Sequence, residues 1–226
     1  GDTMISTPHV DLRLRAEERG TETRVIHGTT AQTAASSLTG LQNYRFGKAT
    51  TLPFERSHGA EGVPDSVIET IEANRERDLH TLVFLDISID DDREDFMTGA
   101  TAAGMLADQW RADALGTVVA RAGSPEPVVR ADRLDALSTE DFGDPLHLLL
   151  VPGSLHHIER DALAALAAAG VAAGGALTWD GLFGETDADS GLSDADRETV
   201  DALADTLYPS AVTGVSEFVE TYVVGR

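Results

Sequence analysis

Three apolar runs, "HTLVFLDI" (His80–Ile87), "LGTVVA" (Leu115–Ala120) and "LHLLLV" (Leu146–Val151), constrain the fold more than any other feature of the sequence. Each is too short for a typical helix and is bounded by turn or charged residues, so each reads as a strand buried on both faces. Such strands need cover on two sides. Helical patterns between them provide it: "PDSVIETIEANRERD", opened by Pro64 and Asp65, then "MTGATAAGMLADQW", "RADRLDALSTEDF" and "HHIERDALAALAAAG". Upstream, "TTLPF" and "TRVIHG" read as short strands, and "VDLRLRAEERG" as a helix entered at Pro8 and stopped by Gly20. "TTAQTAASSLTGLQNYRFG" reads as a small-residue helix able to pack closely, with Gly40 and Gly47 punctuating its exit. This alternation predicts an α/β architecture with a mostly parallel or mixed sheet covered by helices.

Charge excludes whole classes of function. With 17 basic against 39 acidic residues the formal charge is -22, and Lys48 is the single lysine. Binding to nucleic acid or anionic lipid through clustered Lys and Arg is excluded. An acidic surface that uses arginine in place of lysine suits a cytosol of molar salt, where self-repulsion is screened. The absence of cysteine excludes disulfides, thiolate metal sites and cysteine nucleophiles. No apolar run reaches membrane-spanning length and the start lacks a signal-peptide pattern, so the expected location is cytoplasmic.

The candidate motifs are weak one at a time. Asp90, Asp91 and Asp92, with Glu94 and Asp95, offer hard-cation ligands, but their spacing is no calcium loop and a solvated connection is the favoured reading. "ARAGSPEP" (Ala120–Pro127) follows a predicted strand, where ligands of open α/β sheets collect, and its small residues permit close approach. Taken alone, a tight turn with no ligand is the favoured reading, and it is not a phosphate loop. His147, His156 and His157 lack a zinc-site spacing, and no metal is expected. Ser36, Ser37 and Ser124 lack a nucleophile-elbow setting. Beyond Gly170, residues 171–191 read as a Gly- and Asp-rich linker and residues 192–226 as a helical tail opened by Ser193.

Several stretches taken together resemble the diphthine synthase family in order and approximate spacing: "GDTMISTPHVDLRLRAEERG", "RVIHGTTAQTAASSLTGLQNYRFGKATTLPF", "RDLHTLVFLDI", "VVARAGSPEP" and "DFGDPLHLLLVPGSLHHIE". The resemblance runs from Gly1 to about Gly170 and implies the two-domain α/β fold of the tetrapyrrole methylases, with residues 1–49 belonging to an amino-terminal domain and 50–170 to a carboxy-terminal one. It implies an S-adenosyl-L-methionine-dependent methyltransferase, a homodimer, that methylates the modified histidine of elongation factor 2 in diphthamide biosynthesis. The implied cofactor contacts are Asp2 and Ile5 in the opening turn, Thr30 and Ala31, Leu85 at a strand end, Ala122 in "ARAGSPEP", and His147 at the head of "HLLLVPG". No catalytic dyad is expected, because methyl transfer from a sulfonium to a neutral amine mainly requires alignment and exclusion of water.

Two departures accompany the resemblance. Thr3 stands where the family has proline, and the family's first strand and glycine-containing turn would precede Gly1, which leaves the first domain incomplete. The tail from about Leu192 resembles instead the small-subunit family of gluconate 2-dehydrogenase. The competing expectation is therefore an inactive fragment, or a cofactor-binding module whose tail docks a redox partner.

Overall fold

The structure, a computed structural model, describes residues 2–5, 8–59, 61–90 and 93–167. All belong to one compact unit, Gly1–Leu177; the sequence-predicted linker and tail lie outside the described residues.

The three apolar runs form the centre of a mixed five-stranded sheet of order β1-β2-β7-β5-β6. Its strands are β1 (Thr50–Leu52), β2 (Thr81–Leu85), β5 (Leu115–Ala120), β6 (Val128–Arg133) and β7 (His147–Val151). β1 runs parallel to β2, and β7 lies antiparallel to both β2 and β5, in register at Leu82↔Leu150 and Val118↔Leu149. β7 is buried at every position, as a run without polar alternation requires.

Helices cover both faces. On one face α4 (Asp65–Arg75) packs on β1 and β2, α5 (Gly99–Leu106) on β5 and β7, and α6 (Leu134–Leu137) on β5 and β6. Their Val67, Ile71, Leu106, Leu134 and Leu137 meet Val83, Val118, Leu149 and Val151 in one apolar cluster. The intervening strand residues, Leu82, Val119, Leu148 and Leu150, face the opposite side, where α2 (Ala31–Thr39) and α7 (His157–Ala167) lie. Each fully buried leucine contributes about 1.5–3 kcal/mol. The helix α2 ends where Gly40 adopts φ 73, and a Cβ there would lie 2.3 Å from the Ala162 Cβ, so the crossing of α2 and α7 requires glycine.

Three sequence expectations are corrected. "TRVIHG" is not a strand: residues 21–30 have no regular structure, Ile26 is exposed, and the chain here is held instead by side-chain bonds to Asp2. "RADRLDALSTEDF" is only briefly helical, at α6, because Val129 and Ala131 alternate inward on β6 and Val128 pairs with Ala120. After Leu85 the chain does not run on to Ile87 or enter a helix directly: it forms an antiparallel hairpin of β3 (Ile87–Asp90) and β4 (Arg93–Phe96), in which Glu94 pairs with Ile89 and Asp95 with Ser88, while Asp91 and Asp92 lie outside the described residues. The remaining helices, α1 (His9–Glu18) and the single turn α3 (Glu55–His58), lie outside the sheet layers; α1 buries no residue, since its apolar positions at Val10, Leu12 and Leu14 do not form a helical stripe.

A buried polar hub ties the amino-terminal stretch to α7. Glu159, fully buried, accepts from the Gln42 N–H (2.9 Å), the Arg45 guanidinium (2.6 Å), the His80 Nε2–H (2.9 Å) and the His156 N–H (2.9 Å). Burial alone would raise its pKa, but the Gln42 and His156 amides and the His80 ring outweigh that and hold it below the ordinary value. The Nδ1 of His80 accepts from the Gly153 N–H (3.1 Å), so the ring is neutral and its pKa is pushed down by burial.

Candidate functional site

The strands β2 and β5 end, and β7 begins, at the same edge of the sheet, the place where open α/β folds collect ligands. A cavity of about 620 Å³ lies there, within the 300–1,000 Å³ usual for small-molecule sites. Its floor is Phe84, Leu85, Val119 and Leu148. One wall is the start of α2, with Thr29, Thr30, Ala31 and Ala34. The Thr30 hydroxyl caps the helix by accepting from the Thr33 N–H (3.3 Å), which fixes the position of the first helical turn at this wall.

The second wall is the base of the hairpin, Asp86, Ile87, Phe96 and Met97. Asp86 is its pivot. The Asp86 carbonyl accepts from the Met97 N–H (3.0 Å), closing the hairpin, and its own N–H donates to the Leu52 carbonyl (3.1 Å). The carboxylate Oδ2 accepts from the Phe54 N–H (2.9 Å) and the Ser57 hydroxyl (2.7 Å). Burial would raise this carboxyl's pKa, but those bonds, the Ile87 N–H and the nearby Arg56 guanidinium hold it below the ordinary carboxylate value. Asp86 is therefore ionised at neutral pH.

The far side is built by Arg121–Ser124 and Pro145–His147. Arg121 turns the chain at φ 52, a left-handed conformation that its neighbours over-determine. Its N–H donates to the Leu146 carbonyl (2.8 Å), its carbonyl accepts from the Ser124 N–H (2.8 Å), and its Nη1 donates to the Phe142 (2.8 Å) and Asp144 (3.2 Å) carbonyls. The turn leaves Ala122 and Gly123 against the cavity, and a Cβ at Gly123 would meet no atom within 4 Å.

His147 has both ring nitrogens committed. Nδ1 accepts from the Gly99 N–H (3.0 Å) and Nε2–H donates to the Asp144 carbonyl (3.0 Å), which defines a neutral ring. Burial pushes its pKa below the ordinary 6.5, outweighing the backbone carbonyls of Asp144 and Gly143. The ring thus locks α5 and the 144–147 loop beside the cavity and has no nitrogen left to act as a base. Gly99 is needed for this approach, because a Cβ there would lie 2.5 Å from Val118.

Of the residues singled out from the sequence, Thr30, Ala31, Leu85, Ala122 and His147 line this one cavity, although they span 118 positions of chain. Asp2 and Ile5 do not line it. The Asp2 carboxylate accepts from the Met4 N–H (2.9 Å), the His27 ring (2.7 Å) and the Gly28 N–H (3.3 Å), so it anchors the opening turn to the loop that leads into Thr29. The Met4 amide, followed by the His27 ring, lowers its pKa. Ile5 is exposed. Sequence reasoning missed Asp86, Arg121, Phe96 and Met97; the signal for Asp86 was the lone acid ending an otherwise apolar strand run. Among the described residues no group of three or more His, Asp or Glu side chains is placed to hold a metal, and no helix is long and apolar enough to cross a membrane.

The mixed sheet with its edge cavity defines an α/β protein with a cavity of small-molecule size, lined by small and apolar residues around one carboxylate. No family model matches the chain. It is 69% identical over 176 residues to a diphthine synthase of Halorubrum lacusprofundi, covering 75% of this chain and 66% of that protein. It is 66% identical over 174 residues to a diphthine synthase of Haloarcula marismortui, covering 75% of this chain and 67% of that one. A crystal structure of diphthine synthase superposes with a TM-score of 0.66 at 40% identity, covering 74% of this chain and 63% of that one. The chain belongs to the diphthine synthase family, and it spans 66% of the length of its Halorubrum relative.

Proposed function

We propose that this chain carries the cofactor pocket of an S-adenosylmethionine-dependent methyltransferase that methylates the modified histidine of elongation factor 2 in diphthamide biosynthesis. The observation that carries the reading is the convergence of Thr30, Ala31, Leu85, Ala122 and His147 on a single cavity in a chain 69% identical to a diphthine synthase. The residues present fit the cofactor. Ala31, Ala34, Ala122 and Gly123 admit a flat ring system close to the backbone, Phe84, Leu85 and Val119 give it apolar contact, and the positive end of the α2 dipole at Ala31 suits a carboxylate.

When bound, S-adenosylmethionine supplies a methyl group that bonds to the lone pair of the acceptor nitrogen while the old carbon–sulfur bonding pair stays on sulfur. The protein's part is alignment and dryness. The base of the hairpin and the 121–124 turn flank the cavity, while the locked His147 ring holds its far side rigid. Asp2, through His27 and Gly28, steadies the loop before Thr29, and Ile5 sits in the same opening turn.

We infer further that the protein is cytoplasmic and adapted to high salt, as the -22 charge supports, and that it is a homodimer. The proposed boundary at residues 49 and 50 coincides with the start of β1, while α2 packs on the same sheet. Incubation with labelled cofactor and unmethylated elongation factor 2 in molar KCl tests the activity. Label in the factor is the expected result; an unlabelled factor in the presence of folded, cofactor-saturated protein refutes it.

A further inference from the structure

Within the methyltransferase reading, on which this inference rests, we propose that Asp86 is the acceptor-side residue of the site: its carboxylate holds the amine of the incoming side chain by its positive charge. Asp86 is the single acidic side chain among the described residues that line the cavity, and it is half-buried. Of the basic groups near it, Arg121 is turned by its Nη1 toward the Phe142 and Asp144 carbonyls and Arg56 is paired with Asp95, so neither is bonded to this carboxylate. A carboxylate offers about four acceptor positions. The Phe54 N–H and the Ser57 hydroxyl both bond Oδ2, which leaves room on the carboxylate for an ammonium donor.

The position is also fixed. The backbone of Asp86 joins the end of β1 at Leu52 to the base of the hairpin at Met97, so the charge sits on a rigid corner. Ile87 and Phe96 flank it in the same wall of the cavity. From there the same hairpin face runs outward through Ile89, which is exposed, and Glu94, its cross-strand partner. The side chain thus stands where a cavity meets an exposed surface, as a residue receiving a group from another macromolecule must. The nitrogen docks as an ammonium, loses its proton to solvent to free the lone pair, and regains positive charge as its new bond to carbon forms; the fixed carboxylate stabilises the docked cation and the charge that develops in the transition state.

Asp86→Asn separates this role from a structural one, because the amide oxygen still accepts from Phe54 and Ser57 while the charge is lost. Calorimetric titrations in molar KCl, with thermal melts as a check on folding, measure the affinity of wild type and variant for S-adenosylmethionine, for S-adenosylhomocysteine and for unmethylated elongation factor 2. The expected result is a roughly ten- to hundredfold loss of affinity for the factor, the range for removing the charge from a hydrogen bond to an ammonium, with both nucleosides bound within about twofold of wild type. Unchanged affinity for the factor overturns the proposal. So does a selective loss of S-adenosylmethionine over its neutral product, which would turn the carboxylate toward the sulfonium. Wild type that binds the nucleosides but not the factor overturns the acceptor assignment alone, whereas wild type that binds neither nucleoside overturns the methyltransferase reading and this inference with it.

Discussion

Replacing Glu159 with glutamine is a severe test of the polar hub, since the change is nearly isosteric and removes one charge. Four donors converge on the carboxylate: the Gln42 and His80 groups on Oε1, and the Arg45 and His156 groups on Oε2. A carboxamide keeps one oxygen. Its NH₂ must then face two of the four donors, which are left unsatisfied at about 1–3 kcal/mol each when buried. Arg45 is 18% exposed and regains some hydration, so its loss is the smaller part. The expected destabilisation is about 3–5 kcal/mol, a large share of the roughly 5–15 kcal/mol that holds a domain together. At about 2–4 °C per kcal/mol for a chain of this size, Tm falls by roughly 6–20 °C. Circular dichroism melts of wild type and Glu159→Gln in molar KCl measure it. Salt should not abolish the effect, because a buried pair is poorly screened. A drop of less than about 1 kcal/mol would refute the assignment of the hub as a stabilising element.

Two buried histidines, with Glu159, set a pH dependence. His80 and His147 are held neutral in the fold with pKa values below the ordinary 6.5, so the unfolded chain takes up protons first as pH falls. Their contribution is complete above about pH 6.5 and is lost as pH falls below it; that of Glu159 follows below its ordinary 4.5. Tm should therefore be level just above neutrality and decline in acid, and a Tm unchanged from pH 7 to 4 would contradict the tautomers assigned here. Thr117 is fully buried on β5, and its hydroxyl has no hydrogen-bond partner among the described residues. Thr117→Val keeps the shape and removes the unmet group, so denaturant melts should show a gain of about 1 kcal/mol; a loss would mean that the hydroxyl is satisfied.

Much of this architecture was legible because burial on both faces leaves an unmistakable mark. The runs at β2, β5 and β7 could only be central strands, and Gly40 ended α2 where the backbone turns left-handed. The strand β6 was hidden because its inward positions, Val129 and Ala131, are separated by arginine and followed at once by helix-forming residues. The hairpin was hidden by its acids, since Asp90, Glu94 and Asp95 are poor strand formers that here lie on a two-stranded ribbon separate from the main sheet. Five of the seven proposed contacts share a cavity because three come from strand ends that the topology brings to one edge. The setting of Asp86 could not be read from spacing: its carboxylate is held by Phe54 and Ser57, which follow the strand β1 that pairs in parallel with β2.

The central claim is that this cavity binds S-adenosylmethionine. Isothermal titration in molar KCl of wild type and Ala122→Phe, which places a ring in the space beside Gly123, tests it most directly. Saturable binding by wild type, weakened at least tenfold in a variant of unchanged Tm, is the predicted result. Folded wild type that takes up no cofactor, or a variant that binds as tightly as wild type, would contradict it.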